Sequence, residues 1–155
     1  GPSFAGAPVS PYWPGHPDVR TPGSSSVLEI PVSSATAPAL PKALERRFTN
    51  LPAIPWRGYL KRLGLRAVWL RPSYSSVEDA KALATALVAR GVPTLNMLFH
   101  SSELVPEGSP YNRTDADVDR FFERLERVFE HIMKRLAARG VTYRECAEAL
   151  QVPRS

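Results

Sequence analysis

The sequence predicts an α/β domain whose strands run parallel, with helices packed outside them. Two apolar runs, residues 65–70 and 94–99, flank one amphipathic stretch of helical length. Strand, helix, strand with short joints is a βαβ unit, and its two strands are expected to be parallel. A third run, residues 27–33, is almost continuously apolar, as in a strand covered on both faces. With 155 residues the chain can bury a real core, and residues 1–155 are read as one domain.

Residues 1–26 carry Pro2, Pro8, Pro11, Pro14, Pro17 and Pro22. Proline fixes φ and removes a backbone donor, so this segment is expected to be irregular. Phe4, Tyr12 and Trp13 are too large and apolar for a free linker, so an ordered loop is expected. Tyr12 and Trp13 either stack on a sugar ring or pack against the domain. Glu29 interrupts the strand at 27–33. A carboxylate there needs a partner, so it sits at the mouth of a site or meets an arginine.

Helical spacing of Leu40, Ala43, Leu44 and Phe48 predicts a helix over residues 38–48. Residues 56–63 read as a short helix that stops at Gly64. The strand at 65–70 ends at Arg71-Pro72-Ser73. Ser75 with Glu78, and Ser76 with Asp79, have capping-box spacing and open a helix that runs to Arg90. Gly91 and Pro93 close it before the strand at 94–99. Thr114 and Asp117 cap the longest helix, which is expected to end at Gly140. Its stripe of Val118, Phe121, Phe122, Leu125, Val128, Phe129, Ile132, Met133 and Leu136 is expected in the core. Glu123 with Arg127 and Glu130 with Lys134 are supportive pairs, and His131 is placed on the wet side. Thr142 and Glu145 cap a last helix ending near Gln151.

The net charge is +5, which suits a protein with arginine on its helix surfaces or one with anionic partners such as phosphorylated sugars or acidic glycans. No Lys/Arg block or glycine-aromatic repeat points to nucleic acid. No apolar run reaches about 18 residues, so no spanning helix is expected. The start shows no basic region followed by an apolar one, so no secretory signal is read there, and the cytoplasm is the default location. Cys146 is the lone cysteine and reads as inert filler, without an intramolecular disulfide. There is no HxxxH, HExxH or cysteine pair, so no metal ligands are assigned within this chain. A Gly-rich phosphate loop and a Gly-x-Ser-x-Gly elbow are also absent.

In parallel α/β architectures ligands meet the carboxyl ends of the strands. Those ends bring Arg71 and Ser73 together with His100, Ser101, Ser102 and Glu103, with Ser33 and Ser34 joining if the third strand shares the sheet. Histidine changes charge near physiological pH, so His100 could give or take a proton, unless its ring merely satisfies backbone groups. Glu29 and Glu103 are the candidate carboxylates to orient it.

The run Leu95-Asn96-Met97-Leu98-Phe99-His100-Ser101-Ser102-Glu103-Leu104, then Gly108-Ser109-Pro110-Tyr111 and the Thr114-Asp115 helix start, resembles the end of bacterial polysaccharide deacetylases of the NodB-homology type. Pro11-Tyr12-Trp13-Pro14 and Leu28-Glu29-Ile30-Pro31-Val32 look like the middle of such proteins. The resemblance implies the C-terminal part of a distorted (β/α) barrel. It implies removal of acetyl groups from sugars with a divalent metal, usually zinc, that activates water. His100 matches the family's general acid and Leu98 an apolar residue that lines the acetyl pocket. The family's Thr-Phe-Asp-Asp motif and His-x-x-x-His motif, which supply base and metal ligands, are absent.

The expectation is therefore the C-terminal half of a polysaccharide deacetylase acting on an acetylated polysaccharide or sugar precursor. A missing N-terminal half, in cis or as a second chain, would supply metal and base. His100 is assigned as acid, Glu29 as its orienter, and Leu98, Trp69 (or Trp56), Arg71, Ser73, Ser101, Tyr12 and Trp13 as substrate contacts. The alternatives are a non-catalytic glycan-binding or scaffold module of the same fold, and an unrelated phosphosugar-binding protein using Arg71.

Overall fold

The computed structural model describes residues 7–37 and 66–150. The predicted helices at 38–48 and 56–63, with Phe4, Trp56 and Gln151, lie outside the described residues. In order, the described elements are β1 (Ser34–Ala37), β2 (Arg66–Trp69), α1 (Val77–Ala89), a 3₁₀ turn (Ser101–Leu104), α2 (Asp115–Glu130), a π-turn (His131–Arg135) and α3 (Tyr143–Leu150).

Strands β1 and β2 pair antiparallel, with Ala35 opposite Val68 and Thr36 opposite Ala67. Residues 27–33 were expected to form a strand, but they carry one isolated bridge, Glu29 to Tyr12, and regular pairing begins only at Ser34. The expected parallel ladder between residues 65–70 and 94–99 does not form among the described residues. The 94–99 segment is instead held by scattered bonds. Leu98 N donates to Leu70 O (3.1 Å), Ser33 N to Asn96 O (2.9 Å) and Asn96 N to Ser33 Oγ (2.8 Å). The Asn96 side-chain amide donates to Ile30 O (2.8 Å). Side-chain groups thus replace ladder bonds, and Pro93 offers no donor at the segment's start.

The helix boundaries follow local chemistry. Of the two serines expected to cap α1, Ser76 does so, accepting from Asp79 N. Ser75 Oγ instead donates to Trp69 O (2.7 Å) and ties the helix start to the end of β2. Gly91 turns the chain out of α1 at φ +74°, a region glycine enters without a Cβ penalty. Thr114 and Asp117 cap α2 reciprocally. This helix was expected to reach Gly140, yet it widens into the π-turn at His131 and reverses at Ala137 (φ 54°). Leu136 N and Ala138 N donate back to His131 O and Ile132 O, satisfying carbonyls that the helix end frees.

The core lies where α1 packs on β2 and on the second half of α2. It includes Val68, Leu70, Leu83, Leu87, Val128 and Ile132. One face of α2, Val118, Phe121, Leu125 and Val128, is buried as expected, and so is Ile132 of the π-turn that follows. Leu136 is half-buried against the core, but Phe122, Phe129 and Met133 are 49%, 41% and 54% exposed. His131 is half-buried rather than on the wet side, and its Nε2 bonds Thr85 Oγ1 on α1 (2.9 Å). Arg127 pairs with Glu78 of α1 (2.9 Å) instead of Glu123, whereas Lys134 pairs with Glu130 as expected. Cys146 is buried, and burial pushes its thiol up. No described helix is long and apolar enough to cross a membrane.

Candidate functional site

Segment 94–99 carries the chain from α1 across the ends of β1 and β2. Phe99 packs edge-on against Phe121 of α2 (5.6 Å between centroids), which fixes where the chain leaves the core. His100 follows immediately, exposed, as the N-cap of the 3₁₀ turn. Ser101 and Ser102 are exposed in that turn.

The third residue of the turn is the centre of the site. Glu103 is fully buried, and its carboxylate collects three donors. Arg71 Nη2 donates to Oε1 (3.2 Å), His100 N donates to the same oxygen (3.1 Å), and Ser73 Oγ donates to Oε2. Burial pushes this carboxyl up, but the bonds from Ser73, the His100 amide and Arg71 outweigh it, and its pKa lies below the usual value. Glu103 O accepts from the Asn112 side-chain amide (2.6 Å), which closes the loop at 105–112 onto the turn. That closure requires glycine at 108, because a Cβ there would come within 2.4 Å of Ser102 O.

Above this buried pair lies an aromatic edge. The Arg71 guanidinium stacks over the Tyr74 ring (4.3 Å) and lies 6.0 Å from the Tyr111 ring centre. The two phenol oxygens are 2.5 Å apart, a bond that pushes the Tyr111 hydroxyl up. Both rings are open to solvent, Tyr74 at 62% and Tyr111 at 40%. Arg71 Nε and Asn112 Oδ1 are buried without a hydrogen-bond partner. Each such atom costs about 1–3 kcal/mol, a local strain that functional sites commonly carry.

Of the residues singled out from sequence, the structure joins Arg71, Ser73 and the His100 backbone through Glu103. Leu98 is half-buried two residues before His100, and its amide bonds Leu70 O. Trp69 is 48% exposed at the end of β2. Glu29 is exposed and its backbone bonds Tyr12, and among the described residues no hydrogen bond joins it to His100. Tyr12 is buried and donates its hydroxyl to Val19 O (2.9 Å), which is packing within the proline-rich loop, and Trp13 is half-buried beside it. Tyr74 and Asn112 were not singled out, and Tyr111 entered only through the resemblance. The signal for them is the turn Ser109-Pro110-Tyr111-Asn112, in which Ser109 Oγ accepts from the amides of Tyr111 and Asn112.

Among the described residues no three His, Cys, Asp or Glu side chains converge to hold a metal ion. No family model matches the chain, and no curated protein or solved structure matches it either. The resemblance to NodB-type deacetylases is therefore carried by the quoted residues alone.

Proposed function

We propose that this chain is the C-terminal half of a metal-dependent polysaccharide deacetylase, part of a distorted (β/α) barrel, acting on acetylated amino sugars of a bacterial surface glycan. The observation that carries this reading is the placement of His100. It is exposed at the end of an extended segment, and its main chain is clamped by a buried carboxylate bonded to Arg71 and Ser73. A proton donor needs a fixed backbone and an accessible ring, and this arrangement supplies both.

In this reading His100 delivers a proton to the departing sugar nitrogen or oxygen as its bond to the acetyl carbon breaks. Glu103 positions His100 through the backbone, in the place first given to Glu29. Leu98 and Trp69 would contact the acetyl group and sugar, with Ser101 beside them. Activating the attacking water needs a base and a divalent metal, zinc in the family, and a segment outside this sequence would carry both.

A second reading, a non-catalytic glycan-binding module of the same fold, is favoured by the lack of converging metal ligands among the described residues. One experiment separates the two. The chain joined to a NodB-type N-terminal half is assayed for acetate release from N-acetylated oligosaccharides. His100→Ala should lower the rate about 10²–10⁴-fold. Full activity in His100→Ala would remove this residue from the mechanism. Glycan retention without acetate release or bound zinc would favour the module.

A further inference from the structure

The outer face of α2 and of the π-turn after it leaves large apolar side chains uncovered. Phe122, Phe129 and Met133 lie at helical spacing on one side of the helix, all about half exposed. A shallow cleft runs beside the two phenylalanines, bordered by Asp119, Glu123 and Glu126. Those three carboxylates are exposed, and among the described residues no base pairs with any of them. The basic residues of the same helix are engaged elsewhere. Arg120 pairs with Asp117 (2.5 Å), Arg124 donates to Pro72 O (3.3 Å) and Arg127 pairs with Glu78 (2.9 Å). The arginines of α2 are thus engaged, one within the helix and two with Pro72 and Glu78, while an apolar stripe with an acidic rim stays open.

We propose that this face docks a basic amphipathic helix of a partner protein. An aromatic and methionine stripe accepts the i, i+3, i+4, i+7 anchors of such a helix, as in helix-in-groove recognition. The unpaired carboxylates select lysine and arginine on the partner's flanks and reject acidic ones. A second copy of α2 is a poor occupant. Antiparallel self-pairing of this stripe would set its acidic rim against an equally acidic rim, and like charges in an interface oppose association.

Two labelled 18-residue helical peptides serve as probes, sharing one leucine face and differing in lysine or glutamate flanks. Fluorescence anisotropy on the whole chain at low salt should show the lysine peptide binding about tenfold or more tightly than the glutamate peptide. Glu123→Lys with Glu126→Lys should reverse that order, and Phe129→Ser should weaken both peptides. Circular dichroism confirms that the variants keep their helices, as expected for exposed positions. Equal binding of the two peptides, or an order unchanged by the charge reversal, overturns the proposal. So does concentration-dependent self-association in sedimentation that Phe122→Asp abolishes, because the face would then belong to a second copy.

Discussion

Glu103 behaves as a structural anchor whose energy is concentrated in charge. It is fully buried while Arg71 keeps 13% of its side chain exposed, so loss of the carboxylate leaves a largely buried cation without its counterion. Glu103→Gln should therefore destabilise the fold by about 3 kcal/mol in urea denaturation, near the lower end for breaking one side of a buried pair. The pH dependence has a definite sign. The folded carboxyl titrates below its ordinary value of 4.5, so its contribution is full above that pH and fades as pH falls through the lowered folded value. The variant should lack that acid-side decline, and parallel melts of wild type and Glu103→Gln between neutral and acid pH check it. Equal acid sensitivity in the two proteins would place the carboxylate's charge elsewhere. At this scale the sequence offered two carboxylates beside His100, and the structure bonds Glu103 to the His100 amide while the Glu29 backbone bonds Tyr12. Glu29 stood out because it interrupts an apolar run, whereas Glu103 looked like one polar residue among several. Burial separates them, and burial depends on the loop at 105–112 folding back over the turn.

The helices illustrate how far local rules reach. Caps at Ser76, Thr114 and Thr142 were legible because a hydroxyl and a residue three positions on satisfy the same few amides wherever the helix packs. The end of α2 was not legible. Gly140 has the residue type that stops helices, yet the reversal occurs at Ala137, where φ is 54°. A Cβ in that region costs roughly 1 kcal/mol, so Ala137→Gly should stabilise the protein by about that amount in chemical denaturation. No gain, or a loss, would mean that the left-handed turn at Ala137 is not occupied. The early reversal is set by tertiary contacts. His131 bonds Thr85 and Ile132 enters the core against α1, so the chain widens into a π-turn where the packing, not the glycine, dictates it. Strand pairing failed in the opposite way. Apolar runs identified β2 and the neighbourhood of residues 94–99, but orientation and partner are properties of pairs, and β2 found β1 running antiparallel.

At the scale of the molecule, adjacent phenylalanines on α2 divide core from surface. Phe121 is fully buried and meets Phe99, while Phe122 is half exposed. Phe121→Ala should cost about 3–5 kcal/mol and loosen the 94–99 segment that presents His100, whereas Phe122→Ala should change stability by less than about 0.5 kcal/mol. Thermal unfolding of the two single variants tests this, and comparable losses would mean that α2 buries both faces. Periodicity alone assigned both residues to one core stripe. A helix long enough to carry a wide apolar band has two places to put it, and only what packs alongside decides how much is covered.

By itself the sequence determined where helices start, where the second strand lies, and that a histidine sits at the end of an apolar segment beside hydroxyls and a carboxylate. These depend on residues within a few positions of one another, which act the same in any context. The tertiary structure alone decided which carboxylate is buried, that Arg71 and Ser73 hold it, that the sheet is antiparallel, and that one band of α2 stays open. Those outcomes are set by groups far apart in the chain competing for the same surface and the same hydrogen bonds.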